Sequence, residues 1–307
     1  MDTLTPSYKP LGKLIEQAPL SEYSSWEAGG IAKRLYKPAN REDLLLFLKA
    51  LPPSEPLLWL GLGSNTLVRD GGFSGTVIIT QGGLNAVSVI PPETNEHEFA
   101  VKAEAGVSCA SFARFCARQN LTGVEFLAGV PGTIGGALRM NAGCFNGQTW
   151  DHVMETEQTD HQGNIIVQKP EDFSIAYRHV EPREKNIDKW FISGTFRLSP
   201  GDKTQSLEMI KTLLERRANT QPTNEPNCGS VFRNPPNDFA ARLIEQCGLK
   251  NYKIGGAVVS SKHANFIIND GSAKASDIEH LIDFVQKQVA SETGIHLIRE
   301  VHIVGVK

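Results

Sequence analysis

The sequence lacks the features that mark several large classes of protein. No run approaches the roughly 20 apolar residues of a membrane span, and the N-terminal segment MDTLTPSYKPLGKL has no apolar signal-peptide core. Lysine and arginine total 31 against 34 aspartate and glutamate residues, so no basic excess indicates binding to nucleic acid or to an anionic membrane. We therefore expect a soluble, cytoplasmic protein with no nucleic-acid, membrane or obligate protein partner.

Metal-site and disulfide motifs are also missing. The five cysteines are odd in number and include no CxxC pair, so neither a disulfide framework nor a metal site is indicated. Cys109 and Cys116 lie on one apolar helical stripe, and we expect both to be core residues. The 40% hydrophobic and 21% charged content is typical of a globular chain, and a length of 307 residues predicts two or three lobes.

Helical and strand patterns both occur, which predicts a fold with helices and strands. Strands are predicted at 57–60, 76–80, 98–104, 190–198 and 296–304, with a hairpin turn at 161–164, and helices at 42–50, 108–119, 239–247 and along the stripe that begins at residue 207. The strand and helix patterns in the middle of the chain thus predict an antiparallel sheet with helices at its margins. The last helix is predicted to begin with a capping box of Ser276 and Glu279 and to stop at Gly294.

Glycine, by contrast, is concentrated in two loops. Gly61-Leu62-Gly63-Ser64-Asn65 follows a buried strand, but the sixth position is Thr66, and neither a helix start nor a Walker lysine follows. A Rossmann dinucleotide site is therefore a weak interpretation, and either an anion-binding nest or an ordinary tight turn remains open. The second loop, residues 129–136, holds four glycines within eight residues, a density that favours close backbone approach to a flat or phosphorylated ligand. Together the loops suit a long cofactor with a pyrophosphate and a ring system.

A third segment, Gly229-Ser230-Val231-Phe232-Arg233-Asn234-Pro235, is typical of a loop that presents a hydroxyl. Taken alone, Ser230 has an equally simple interpretation as an ordinary loop serine. Arg178 could likewise be a surface residue, and Glu300 a salt-bridge partner of a nearby cation.

Segments along nearly the whole chain resemble the UDP-N-acetylenolpyruvoylglucosamine reductase family, also called UDP-N-acetylmuramate dehydrogenase or MurB. They are WEAGGIAKRLYKP (26–38), LGLGSNTLVRDGGFSGTVI (60–78), GVEFLAGVPGTIGGALRMNAG (123–143), YRHV (177–180), GSVFRNP (229–235), AARLIEQCGLKNYKIGGAVVSSKHANFIIN (240–269) and IREV (298–301). The resemblance implies an α+β fold: a two-lobed FAD-binding module of the vanillyl-alcohol oxidase (PCMH) type, with lobes at 1–68 and 69–200, and a C-terminal substrate-binding domain at 201–307. The length matches the shorter class, which lacks an inserted substrate loop.

The resemblance also implies the reaction. NADPH reduces non-covalently bound FAD, which then passes a hydride to the methylene carbon of the enolpyruvyl ether of a UDP-sugar; the adjacent carbon is protonated to give UDP-N-acetylmuramate, a peptidoglycan precursor. Such chemistry needs a cation at the substrate carboxylate, a proton donor and a group that stabilises the enol.

Site residues follow from the matching motifs. The resemblance implies Arg178, Ser230 and Glu300 as catalytic residues, with Ser230 as the proton donor, and Tyr177, Arg233 and Asn234 as substrate-binding residues. It implies as flavin contacts Gly61, Gly63, Ser64, Asn65, Gly129, Gly132, Thr133, Ile134, Gly135, Gly136 and Gly143. Lys262 and His263 lie in a matching segment without an assigned role. Cys228 departs from the small residue that many relatives have before Gly229-Ser230, and we expect it beside the site without a catalytic role.

Two alternatives stay open. An FAD-dependent alcohol or sugar oxidase would use the same module, often with flavin bound covalently to a histidine or cysteine near the loops. No histidine lies between residues 98 and 150, and Cys144 is the nearest candidate. A nonenzymatic nucleotide-binding protein would give no reason for Arg178, Ser230 and Glu300 to converge.

Overall fold

The computed structural model describes residues 9–91, 99–184 and 188–307. The chain divides into two compact units, each assembled from separate stretches of sequence. The first unit comprises residues 1–15, 35–61 and 76–215, and the second comprises residues 16–34, 62–75 and 216–307. The division into lobes at 1–68, 69–200 and 201–307 stays a prediction.

Helices and strands alternate along the described residues. The α-helices are α1 Arg41–Ala50, α2 Cys109–Arg118, α3 Ile134–Met140, α4 Lys203–Thr220, α5 Ala240–Gln246 and α6 Ala275–Thr293. The strands are β1 Lys13–Pro19, β2 Ile31–Lys37, β3 Leu57–Leu60, β4 Thr66–Val68, β5 Phe73–Ile79, β6 Val87–Ile90, β7 Phe99–Glu104, β8 Leu121–Thr122, β9 Gly143–Cys144, β10 Gly147–Gln148, β11 Val153–Thr159, β12 Ile165–Gln168, β13 Phe173–Ala176, β14 His179–Pro182, β15 Trp190–Pro200, β16 Lys253–Ile254, β17 Ala257–Val259, β18 Ile267–Asn269 and β19 His302–Val304. Among these described helices, none is both long enough and apolar enough to cross a membrane.

The first unit is built on an antiparallel sheet of order β12-β11-β15-β7-β6, with β8 paired to β15. The side chains of α2 and α3 pack with the sheet in one apolar core, where Phe112 of α2 contacts Phe196 of β15 at a ring distance of 4.8 Å. Ser108 caps α2 by accepting a hydrogen bond from the Ser111 N–H. The predicted antiparallel sheet with marginal helices is therefore confirmed. Cys109 and Cys116 are both fully buried, as expected.

A second core of the first unit lies between α1 and the parallel pair β3 and β5. Tyr36 stacks on Phe47 of α1 at 3.7 Å between ring centroids. The helix begins after Asn40, whose side chain accepts from the Asp43 N–H. Leu57–Leu60 forms the strand that was predicted to run into the first glycine loop, but of its four residues only Leu60 is buried.

The second unit packs α5 and α6 with an antiparallel sheet, β16-β17-β18, and contains a parallel pair of β4 with β19. Trp26 is fully buried in its core, with its indole N–H donating to the Ile267 carbonyl at 2.7 Å. The Asn269 side chain donates to the Trp26 carbonyl at 2.8 Å. Gly294 follows α6 with φ of +73°, so the predicted helix stop is confirmed.

The predicted capping box of Ser276 and Glu279 is wrong. The α6 helix begins at Ala275, and the Asp277 carboxylate accepts from the Lys274 N–H at 3.0 Å. The next two backbone N–H groups, those of Ala275 and Ser276, each donate to one carboxylate oxygen of Asp70 at 2.9 Å. Glu279 instead pairs bidentately with Arg69 at 2.8 and 2.9 Å. A carboxylate distant in sequence therefore does the capping that a local serine was expected to do.

The predicted strand over 296–304 is also too long, because only His302–Val304 pairs as a strand. Glu300 therefore lies outside a strand, contrary to expectation. Residues 298–300 instead form backbone hydrogen bonds with residues 231–233, including one isolated bridge between Phe232 and Arg299. Residues 298–300 therefore bond residues 231–233, and pairing with β4 begins only at His302.

Candidate active site

The two glycine loops meet within the first unit at Gly61 and Thr133. A Cβ atom added at Gly61 would collide with the Thr133 hydroxyl, so only glycine permits this approach. Thr133 is 1% exposed, and its Oγ1 has no hydrogen-bond partner within the described residues. An unsatisfied buried hydroxyl costs about 1–3 kcal/mol, and a ligand that hydrogen-bonds it would remove that cost.

Part of the second loop is helical, because α3 begins at Ile134 and includes Gly135 and Gly136. The N–H groups of Ile134 and Gly135 donate to the carbonyls of Val107 and Ala105 at 2.8 and 2.9 Å. These two amides are therefore already bonded within the protein. A Cβ at Gly135 would lie 2.9 Å from the Ala105 Cβ, so close packing explains why this position is a glycine.

The glycines of this region differ in what surrounds them. A Cβ at Gly129 would lie 2.9 Å from both Cys144 Sγ and Phe145, and the Gly132 carbonyl accepts from the Cys109 N–H. At Gly136 the nearest atom to such a Cβ is Thr133 Oγ1, at 3.9 Å. Open space therefore adjoins the unsatisfied hydroxyl, whereas protein atoms fill the space at Gly129.

These features fit a bound FAD. The Thr133 hydroxyl can donate to a phosphate, or donate to or accept from the polar edge of a flavin, and Gly136 leaves room beside it. The residues of the first unit that would hold the cofactor are thus Gly61, Thr133 and Gly136. Among the described residues, no group of three or more His, Cys, Asp or Glu side chains is arranged to hold a metal ion.

Gly63, Ser64 and Asn65, the rest of the first loop, belong to the second unit. Gly63 has φ of +60°, and a Cβ there would collide with the Tyr23 carbonyl. The Asn65 side chain donates to the Glu300 carbonyl at 3.2 Å, while its own carbonyl accepts from the His302 N–H at 3.0 Å. Asn65, predicted as a flavin contact, therefore also braces the segment that carries Glu300. Ser64 is half-buried.

Arg178 occupies the two-residue turn between β13 and β14, in the first unit, with φ of +53°. Its guanidinium donates to the Asn141 carbonyl at 3.3 Å and to the Gly143 carbonyl, and it lies 4.9 Å from the Tyr177 ring centroid. Asn141 is itself fixed, because its side chain accepts from the Trp150 N–H and donates to the Ala176 carbonyl. Arg178 is therefore a positioned cation rather than a loose surface side chain.

Ser230 lies in the second unit, half-buried, between Gly229 and two fully buried residues. Gly229 has φ of +72°, and its N–H donates to the Asn227 side chain at 2.9 Å. The next residue, Val231, donates to the Asn265 carbonyl at 2.9 Å and accepts from the Glu300 N–H at 2.8 Å. These bonds fix the backbone on both sides of the Ser230 hydroxyl.

Arg233 and Asn234 continue this segment. The Arg233 N–H donates to the Ile298 carbonyl at 2.9 Å, and its buried Nε has no hydrogen-bond partner in the described part of the chain. Asn234 is exposed, and its Oδ1 accepts from the Ala240 N–H at the start of α5. Arg233 can thus offer its Nε–H to an anion, whereas Asn234 also caps a helix.

Three further residues were singled out without a role. Cys228 is 2% exposed, and its thiol donates to the Gly63 carbonyl at 3.3 Å; burial raises the pKa of this thiol to about 12. Burial also lowers the pKa of His263, whose Nδ1 accepts from the Asn265 N–H at 3.3 Å. The Lys262 ammonium donates to the Ala218 carbonyl. Cys228 is therefore close to Ser230 in sequence, and its thiol is buried and held in the neutral form.

The structure groups the predicted residues within each unit. Gly61 meets Thr133, and Gly143 meets Arg178, in the first unit. Ser230 and Glu300 lie on paired segments of the second unit, with Asn65 bonded to one of them. Because Arg178 belongs to the first unit, the convergence of all three catalytic candidates stays a prediction.

One residue that contacts this site was missed from the sequence. Asn265 is 3% exposed, and its side chain bonds both the N–H and the carbonyl of Phe232. The available signal was an amide within the apolar run Ala264-Asn265-Phe266-Ile267-Ile268, because a buried asparagine must find hydrogen-bond partners.

Models of two protein families match the chain. One, described as an FAD binding domain, matches residues 32–168. The other, described as the C-terminal domain of UDP-N-acetylenolpyruvoylglucosamine reductase, matches residues 221–304. The two matches fall on the two parts of the sequence for which a cofactor module and a substrate-binding domain were predicted.

Relatives match over nearly the full length. The UDP-N-acetylenolpyruvoylglucosamine reductase of Legionella pneumophila (strain Corby) is 61% identical over 96% of this chain and 93% of its own length. The same-named protein of Methylococcus capsulatus is 52% identical, covering 96% of this chain and 94% of its own length. The solved structure of UDP-N-acetylenolpyruvylglucosamine reductase (MurB) from Thermus caldophilus is 28% identical, with a TM-score of 0.76 over 95% of this chain and 98% of that chain.

Proposed function

The chain belongs to the UDP-N-acetylenolpyruvoylglucosamine reductase family, and on that premise we propose that it reduces UDP-N-acetylglucosamine enolpyruvate to UDP-N-acetylmuramate, with FAD as cofactor and NADPH as co-substrate. The observation that carries the proposal is the 61% identity over 96% of the chain to a relative of that name. The product is a peptidoglycan precursor, and we place the reaction in the cytoplasm.

When bound, FAD would supply the redox chemistry by which reducing equivalents pass from NADPH to the enolpyruvyl methylene carbon. The protein holds it with the cradle of Gly61, Thr133 and Gly136. Most of the remaining flavin candidates belong to the same loops, and Gly143 lies in β9; they are Gly63, Ser64, Asn65, Gly129, Gly132, Ile134, Gly135 and Gly143. In this proposal they shape the loops more than they donate to the cofactor, because several of their backbone groups already bond within the protein.

Arg178 binds the substrate carboxylate. Its guanidinium remains charged and accommodates the negative charge that grows on the carboxylate as the adjacent double bond is reduced. The bonds to the Asn141 and Gly143 carbonyls fix its position before substrate arrives. Tyr177, whose ring lies beside the guanidinium, belongs to the same substrate contact.

Ser230 gives its proton to the carbon next to the carboxylate, and Glu300 stabilises the enol that precedes this step. A serine hydroxyl is a weak acid, so its donation depends on a fixed position and on polar neighbours. The paired segments 231–233 and 298–300 supply that position. Arg233 and Asn234 extend the site toward the substrate, with the unpaired Nε of Arg233 suited to an anionic group.

The oxidase alternative is the weaker of the two. Reductase-named relatives match the chain throughout, including the C-terminal domain at 221–304. Cys144, the candidate for a covalent flavin link, donates its thiol hydrogen to the Phe126 carbonyl at 3.0 Å. We therefore propose that the flavin is held without a covalent bond.

Flavin absorbance tests the proposal directly. The purified protein is expected to be yellow, to bleach on NADPH addition and to regain its colour when the enolpyruvyl sugar nucleotide is added. A protein that neither carries flavin nor takes it up on reconstitution would contradict the proposal. Release of flavin on denaturation, seen by mass spectrometry, separates the reductase from an oxidase with covalent flavin.

A further inference from the structure

Asn265 forms a three-bond clamp on the two residues that follow Ser230, with one bond from its backbone carbonyl and two from its side-chain amide. Its backbone carbonyl accepts from the Val231 N–H at 2.9 Å. Its side-chain Oδ1 accepts from the Phe232 N–H at 3.0 Å, and its Nδ2 donates to the Phe232 carbonyl at 2.8 Å. The side chain thus pairs with Phe232 as a neighbouring strand would, although residues 231–233 are not part of a strand.

Residues 231–233 are hydrogen-bonded by Asn265 on one side and by residues 298–300 on the other. The Val231 carbonyl accepts from the Glu300 N–H at 2.8 Å, and the Arg233 N–H donates to the Ile298 carbonyl at 2.9 Å. Val231, Phe232 and Asn265 are each at most 3% exposed, so in the folded protein their polar groups are bonded to protein atoms away from bulk water. Loss of the Asn265 side-chain amide would remove the two bonds to Phe232 and leave the backbone bonds of Val231 and Arg233 in place.

We propose that Asn265 is a positioning residue for the proton transfer, acting through Ser230 and leaving flavin reduction untouched. A donor is effective only within a few tenths of an ångström of its productive position, so a segment that has lost the two Phe232 bonds loses proton transfer before it loses folding. This inference rests on the proposed role of Ser230 as the proton donor.

The matched control is Asn269→Ala. Asn269 is buried to a similar degree in the same unit, but its side chain bonds Trp26, Gly271 and Ala273 rather than the Ser230 segment. Both Asn269→Ala and Asn265→Ala remove a buried amide with its hydrogen bonds. Any difference between the two variants therefore reports what the Asn265 bonds do for the site rather than the general cost of losing a buried amide.

Stopped-flow absorbance on the flavin-loaded protein measures the two half-reactions separately. Asn265→Ala is expected to slow substrate-driven reoxidation at least about tenfold, while NADPH-driven bleaching stays within about twofold. Asn269→Ala is expected to leave both rates within about twofold. The double variant Ser230→Ala/Asn265→Ala is expected to be no slower than Ser230→Ala, because residues that act as a unit are not additive.

Amide hydrogen exchange gives a readout independent of the cofactor, since the Phe232 N–H is expected to lose protection in Asn265→Ala and to keep it in Asn269→Ala. Asn265→Asp, which keeps the acceptor and loses the donor, replaces Asn265→Ala if the latter does not fold. Unchanged reoxidation, equal loss of both half-reactions, or multiplicative loss in the double variant would overturn the inference. Unchanged reoxidation in Ser230→Ala itself would instead overturn the proposed role of the serine.

Discussion

The backbone N–H of Glu300 donates to the carbonyl oxygen of Val231 at 2.8 Å. This bond joins the segment that carries the proposed proton donor to the segment that carries the proposed enol-stabilising carboxylate. The two segments lie 70 residues apart in number, from 230 to 300, and neither is a regular strand at this point. The placement of Ser230 and Glu300 therefore rests on a few individual hydrogen bonds.

Replacing the proposed proton donor separates the two half-reactions. Ser230→Ala is expected to leave NADPH-driven flavin bleaching nearly intact and to slow reoxidation by the enolpyruvyl substrate by about 10²–10⁴-fold, the usual contribution of general acid catalysis. Single-turnover absorbance at the flavin band measures both rates. Equal losses in the two half-reactions would contradict the assigned role, and Ser291→Ala, at an exposed serine of α6 outside the proposed site, serves as the control.

Removing the unpaired hydroxyl at the cofactor cradle tests the flavin site. Thr133→Val is isosteric and removes the unsatisfied polar atom, so the flavin-free protein is expected to melt at an equal or higher temperature. Flavin affinity is expected to fall about tenfold, the value of one hydrogen bond near 1.4 kcal/mol. Thr133→Ser, which keeps the hydroxyl, should bind flavin within about threefold of the unchanged protein.

Fluorescence titration of the flavin-free protein measures this affinity, and thermal melting of the same preparation measures stability. If Thr133→Val bound flavin as tightly as the unchanged protein, the hydroxyl would not belong to the cofactor site. A fall in melting temperature without flavin would show instead that the hydroxyl has a structural partner.

Glu157 ties three elements of the first unit together. Its carboxylate accepts from Arg41 at 2.7 Å and Ser193 at 2.6 Å and pairs with Lys102 at 2.8 Å. Burial favours the neutral acid, but these three partners prevail and lower the pKa of Glu157 from 4.5 to about 2. A carboxyl with a depressed pKa stabilises the fold above its unfolded value of about 4.5, and that stabilisation is lost as pH falls toward 2.

Glu157→Gln is therefore expected to destabilise the protein by about 2 kcal/mol at pH 7. The difference in the free energy of unfolding between this variant and the unchanged protein should narrow as pH falls from about 4.5 to 2. Thermal or urea unfolding across this range provides the measurement. Glu155→Gln, two residues away on β11, controls for the loss of one charge. If this difference in unfolding free energy did not change with pH, ionisation of Glu157 would not contribute to the stability of the fold.

Cys228 should be tolerant of substitution and resistant to reagents. Burial raises the pKa of its thiol to about 12, so iodoacetamide at pH 8 is expected to leave it unmodified until the protein unfolds. Cys228→Ala is expected to keep both half-reactions within about twofold and to cost roughly 1 kcal/mol of stability. Peptide mass spectrometry after labelling gives the first result, and rapid modification of the folded protein would contradict it.

Much of the fold could be predicted, because its elements follow from local periodicity. The α2 helix with its Ser108 cap, the hairpin turn at 161–164 and the strand at 190–198 all carry their signals within a few residues. The start of α6 could not be predicted, since Asp70 supplies its cap from a distant loop. Local pattern gives no access to a partner two hundred positions away.

The candidate site divides in the same way. The family resemblance implied Ser230 and Thr133, whereas the bond from Asn65 to the Glu300 carbonyl depends on tertiary contact alone. Glycine density was only partly informative, because the packing of Gly135 on Ala105 produces the same pattern as ligand approach. The role of Asn265 depended on knowing which backbone its amide meets.

The discontinuity of the second unit dictates an order of assembly on the ribosome. Its strand β4 pairs with β19, and its loop carboxylate at Asp70 caps α6, so both wait for residues that are translated more than two hundred positions later. All segments of the first unit, by contrast, have been synthesised by residue 215. Residues 62–75 of a nascent chain can therefore bond early with Ser25 and Gly30, but they complete their contacts with α6 and β19 only after translation has passed residue 304.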